Sequence, residues 1–120
     1  MTEVYLSAAP IPAAIFEPPG WGPVRPVPFP DLAAAQQLIS QAVLLCGWSV
    51  RNTNTTAGSL ALYGGATAEG PLLASDAVAS GGSDQSSLPW PGVLCDQGIW
   101  AVPTAGTYAL VLFVRYLTSG

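Results

Sequence analysis

Few residues of this chain are able to do acid–base or nucleophilic work. Asp76, Asp84 and Asp96 are the carboxylates of interest. A pair of carboxylates flanking a bond can hydrolyse a glycoside. These three fall at expected strand ends and turns, at no spacing that supports such a pair, and read as solvated turn residues. The chain has no His, so a Ser-His-Asp triad and a Cys-His pair are both excluded. It has no Lys to form a Schiff base or to serve a phosphate loop. Cys46 and Cys95 without His do not make a tetrahedral metal site. No loop around Asp84 or Asp96 has the pattern of a cation-binding loop. The chain is therefore expected not to be an enzyme and to hold no cofactor and no metal.

The aromatic residues are the other candidates. Trp21, Trp48, Trp90 and Trp100, with Tyr5, Tyr63, Tyr108 and Tyr116, invite comparison with a sugar-stacking platform. Core and corner packing explains them better. Trp48 lies in a strongly apolar run, and Trp90 stands between Pro89 and Pro91. Trp21 is the best candidate for an intermolecular anchor. Arg51 and Arg115 sit in long apolar runs and carry two readings: an ion pair buried across an interface, or a strand-end Arg whose stem reaches solvent.

Composition says more than any motif. Three Arg are the only basic residues, seven residues are acidic, and the net charge is −4. Only 8% of the chain is charged, against about 25% in an ordinary domain. Half of it is hydrophobic. Three scattered Arg cannot build a phosphate-binding surface, so nucleic acid and anionic membranes are not expected partners. No basic stretch followed by an apolar run marks a secretory signal near the start. The longest apolar run, 108–114, is far shorter than the roughly 20 residues of a membrane span. Synthesis in a cytosol is expected, which favours two buried, reduced thiols over a disulfide between strands. A surface this poor in charge suits a subunit that sits against other protein.

The elements that must position these residues fall into two parts. Residues 1–31 hold Pro10, Pro12, Pro18, Pro19, Pro23, Pro26, Pro28 and Pro30. Proline fixes φ and removes a donor, so this part is neither helix nor central strand. An extended docking arm with polyproline II stretches is expected. Ile15, Phe16, Trp21, Val24, Val27 and Phe29 are its expected partner contacts, made on a neighbour or on its own domain. Residues 32–120 are expected to form the body. Asp31 could cap a short helical turn over 32–35, with strand from about Gln37. Further strands are expected at 42–52 (bulged at Gly47), 59–63, 71–78, 85–88 and 107–117. Residues 93–95 and 99–102 are expected to form a hairpin around Asp96-Gln97-Gly98. Short strands with turn signals at this spacing indicate an all-β, antiparallel β-sandwich, jelly-roll or immunoglobulin-like.

The last strand is unusual. Tyr108, Leu110, Leu112, Val114 and Tyr116 share one face, and Ala109, Val111, Phe113, Arg115 and Leu117 the other. Both are apolar except at Arg115. A strand wet on one side alternates apolar with polar, so cover on both faces is expected, by the arm or by a second subunit.

The order of motifs supplies a resemblance. Gly47-Trp48-Ser49-Val50-Arg51-Asn52-Thr53 is followed by Leu60-Ala61-Leu62-Tyr63-Gly64-Gly65 and Gly70-Pro71-Leu72-Leu73-Ala74. Gly81-Gly82-Ser83 and Gly92-Val93-Leu94-Cys95-Asp96-Gln97-Gly98-Ile99 complete it. Over about residues 42–116 this resembles small β-sandwich virion structural proteins of tailed bacteriophages. The arm lies outside the resemblance, and no functional residue comes with it. The resemblance implies a capsid decoration (cement) protein located in the virion. Its implied partners are the major capsid protein or other virion subunits, in a homo-oligomer. The alternative is a tail- or vertex-associated module that contacts a host-surface glycan.

Overall fold

The computed structural model describes residues 18–104 and 106–118. Among them there is no helix, and nine strands form two antiparallel sheets. They are β1 (Trp21–Leu32), β2 (Gln36–Ile39), β3 (Val43–Asn52), β4 (Gly58–Tyr63), β5 (Leu72–Val78), β6 (Ser83–Ser87), β7 (Val93–Cys95), β8 (Ile99–Pro103) and β9 (Tyr108–Leu117). The first sheet runs β1-β9-β3-β6, with β7 also on β3. The second runs β2-β8-β4-β5. Leu32 ends β1, so the expected helical turn at 32–35 does not form.

The two sheets close on one core. From the first come Val43, Leu45, Trp48, Val50, Leu110, Leu112 and Val114; from the second come Ile39, Leu60, Leu62, Val78, Ile99 and Ala101. Along each strand these residues recur at every second position, as a pleated strand requires, except from Leu45 to Trp48, where an irregularity in β3 makes the step three. Burying one such side chain contributes roughly 1.5–3 kcal/mol, so the packed inner rows hold the two layers together.

Two expectations change here. The described part of the proline-rich segment, from Pro18, is not a free-standing arm. From Trp21 onward it is β1, paired with β9 from Trp21↔Leu117 to Leu32↔Tyr108. The chain reverses just before it, where Trp21 N–H donates to Pro18 O at 3.0 Å and Gly20 takes a φ of 85°. Proline is compatible with this strand because β1 lies at the sheet edge. Pro26, Pro28 and Pro30 recur with period two, so their missing donors fall on one side of the strand, the side away from β9. The expectations for Ile15 and Phe16 lie outside the described residues.

The second change concerns 93–102. Asp96-Gln97-Gly98 does form a turn, with Gly98 N–H donating to Cys95 O at 3.3 Å. Yet β7 pairs with β3 and β8 pairs with β2 and β4. The turn carries the chain between sheets and does not join a hairpin. Gly98 sits there at φ 94°, and a Cβ would meet Ile39 O at 1.9 Å, so only glycine passes.

A polar knot closes one end. Asn52 is fully buried, and its Nδ2 donates to Thr56 O at 2.9 Å and Val78 O at 3.0 Å. Its Oδ1 accepts from Asn54 N–H at 2.8 Å and Asn54 Nδ2 at 2.7 Å. Asn54 in turn accepts from Thr107 N–H and donates to Thr107 O. Tyr108, the next residue, donates its hydroxyl proton to Thr104 O, as a tyrosine corner does. Replacing Asn52 by Ala strands the buried Val78 carbonyl and takes the acceptor from Asn54 N–H, and is expected to cost about 1–3 kcal/mol. Urea unfolding of Asn52→Ala checks this; a loss of less than about 0.5 kcal/mol contradicts the knot's role.

Candidate functional site

The outer face of the first sheet gathers the side chains that face away from the core. Paired residues in an antiparallel ladder share a face. Val24 lies beside Arg115, Pro26 beside Phe113 and Pro28 beside Val111. Across β9, Phe113 meets Gly47, Val111 meets Ser49 and Ala109 meets Arg51. Leu44 and Leu94 extend the row of Arg115. The expectation that β9 carries two apolar faces thus becomes concrete. Tyr108, Leu110, Leu112 and Val114 of its inner row are buried and Tyr116 is half-buried, while Ala109, Val111 and Phe113 on the outer row are half-buried with no further layer over them among the described residues.

A cavity of about 520 Å³ opens on this face. Its floor is Gly47, Phe113 and Arg115, and Val24 stands at its β1 side. Residues 89–92 wall the opposite side. They interrupt the edge strand between β6 and β7, in a turn closed by Gly92 N–H donating to Pro89 O at 2.8 Å, with a cis bond between Trp90 and Pro91. Leu88 N–H still donates to Cys46 O at 2.9 Å, so β3 holds the start of the excursion. The excursion faces an irregularity in β3: the register with β9 shifts between Leu45 and Gly47. A bulge at this place was expected from Gly47. The glycine is needed because a Cβ there would meet Ser86 O at 2.5 Å.

The structure distributes the expected partner contacts unevenly. Val24 is exposed at the cavity rim, and Trp21 is half-buried opposite Leu117. Val27 and Phe29 turn inward and pack against the core, so their side chains hold β1 to its own body. The aromatic residue most open to solvent at the cavity is Trp90, 45% exposed. Flanking prolines suggested a packed corner, but the turn they shape pushes the indole outward. Trp48 does pack as expected: it is 6% exposed, and its Nε1 donates to Asp76 Oδ2 at 2.7 Å. Asp76 is therefore not a solvated turn residue. It lies inside β5, opposite the core residue Leu60, and is half-buried. Asp84 and Asp96 are exposed, as expected.

Arg115 and Arg51 differ in burial. Arg51 is exposed at the rim of the face. Arg115 is 2% exposed, and its Nη1 donates to Gly22 O at 3.0 Å, tying β9 to the start of β1. Among the described residues no group of three or more His, Cys, Asp or Glu is placed to hold a metal ion.

The two cysteines are free thiols in different surroundings. Cys46 lines the cavity, and its Sγ lies 3.7 Å from Pro91 O. Burial pushes its thiol above the ordinary value, with the Arg115 charge opposing. Cys95 is in the core and is pushed from 9.0 to about 11, chiefly by burial. A group whose folded pKa is raised stabilises fully below its unfolded pKa, and that contribution is lost as pH rises through the folded value. Stability is therefore expected to fall between about pH 9 and pH 11. Thiol-reagent kinetics on the native protein at pH 8 should show Cys46 reacting first and Cys95 only on unfolding. Equal rates at both would contradict the placement.

No protein-family model matches this chain, and no curated protein matches it in sequence.

Proposed function

We propose that the protein is a virion structural subunit, most simply a capsid decoration protein that binds and stabilises an assembled shell. The observation that carries the reading is the strand order. Count β6 and β7 as one strand interrupted at residues 89–92. The sheets then run first-eighth-third-sixth and second-seventh-fourth-fifth. That order fits a jelly roll rather than an immunoglobulin-like sandwich, and jelly rolls are frequent in viral shells. Fold analogy alone does not assign a function. Three further features support the reading: the charge-poor composition, the resemblance over residues 42–116, and the apolar outer face of the first sheet.

On this reading the major capsid protein or another virion subunit is the partner, the protein is a homo-oligomer, and it has no catalytic role. Shell contact is made by the segment before Pro18, through Ile15 and Phe16, with Trp21 beside it. Binding to the assembled state alone stabilises that state by mass action.

Removing residues 1–30 would be a poor test, because it strips β1 and uncovers the edge of β9. The informative variant is the full chain carrying Ile15→Asp and Phe16→Asp. It is expected to keep the circular dichroism and thermal midpoint of the parent and to lose particle binding by at least about tenfold in co-sedimentation. Undiminished binding would sink the docking role of the segment.

A further inference from the structure

We infer that the cavity beside Trp90 is a binding site for a neutral saccharide, one or two pyranose rings in extent. The inference stands independently of the assembly reading. It begins with shape. The floor is built from β3 and β9, each of which is paired on both edges. The floor therefore offers side chains and no free backbone ladder, which a peptide strand would need. The volume of about 520 Å³ lies in the range of small-ligand sites.

The lining then selects the ligand. A pyranose ring has apolar C–H faces and a hydroxyl perimeter. Trp90 presents an aromatic surface 45% open to solvent, on a turn stiffened by Pro89 and Pro91 and closed by its own hydrogen bond. A rigid aromatic loses little freedom on binding. Gln85 and Ser87 stand exposed on the β6 side of the same cavity. An amide and a hydroxyl offer donors and acceptors together, which suits hydroxyl groups of either hydrogen-bond sense. Val24 and Phe113 supply the apolar remainder.

Charge excludes the alternatives. Among the described residues that line the cavity there is no carboxylate, and the one ionised side chain there, Arg115, is 2% exposed at the floor. An anionic or cationic ligand would be desolvated there without an exposed counter-charge, which is unfavourable. A neutral ligand has no such penalty.

The test uses the full chain labelled with ¹⁵N. Its four Trp indole N–H signals are resolved by NMR, and Trp90→Phe assigns the relevant one. Trisaccharides of glucose, galactose, mannose and N-acetylglucosamine are titrated to about 20 mM. The expected result is saturable movement of the Trp90 signal by at least one of them, with Kd of about 0.1–5 mM. Trp90→Ala should weaken that binding at least about tenfold, and Gln85→Ala to a smaller degree. Unchanged signals of the other three indoles in Trp90→Ala show that the fold is retained. Lack of saturable movement with all four sugars overturns the inference. So does affinity that survives Trp90→Ala. So does a Trp90 indole already shielded from added acrylamide in the free protein, since another part of the chain would then fill the cavity.

Discussion

The fold depends on the burial of β9. Tyr108, Leu110, Leu112 and Val114 lose essentially all contact with water. They do so only because β1 and β3 flank the strand and the second sheet lies over its inner face. Each neighbouring element is held through it. β1 runs along one edge for its whole length, β3 along the other, and Arg115 ties the far end to Gly22. At the near end the Asn52–Asn54–Thr107 bonds and the Tyr108 hydroxyl fix the loop that delivers the strand.

The same shortage of charge shapes the edges. Sheet edges are commonly blunted by Lys, by inward-pointing charges, by Pro, by short strands or by bulges. This protein has no Lys and uses the other devices. β1 carries prolines at alternate positions. β5 turns Asp76 inward, where Trp48 Nε1 satisfies it. β2 is four residues long. The fourth strand row of the first sheet is broken at residues 89–92. With the edges managed in this way, contact with other molecules is left to side-chain faces, and the outer face of the first sheet is the apolar one. The break at 89–92 also creates the cavity wall, so a device that limits edge pairing and the strongest candidate site are the same piece of chain.

Much of this was legible in the sequence. Gly, Pro and Asn clusters punctuated the strands at nearly the places where they begin and end, and the apolar run in 107–117 marked a strand with two apolar faces, without telling the inner one from the outer. Three things were not legible, each for a physical reason. The turn at 96–98 has the local chemistry of a hairpin, and only tertiary pairing decides whether the following strand stays in the sheet or crosses to the other. Prolines in 23–30 signal the lack of a ladder on one side, which is equally true of a solvated arm and of an edge strand; the period of two was the available clue. The exposure of Trp90 follows from the turn at 89–92 and from the β3 bulge it faces, and neither can be weighed without the other. Asp76 was misread because a carboxylate in a strand looks solvated until a distant indole, 28 residues away along the chain, is found beside it.

The central claim is that this β-sandwich serves as a subunit of a larger shell. The measurement that tests it most directly is the copy number of the polypeptide in purified particles from its source, by quantitative mass spectrometry against the major shell subunit. The account predicts a copy number of the same order as that subunit, as a lattice-bound decoration protein requires. Absence from the particles would contradict it, and a handful of copies would remove the lattice role in favour of a tail or vertex position.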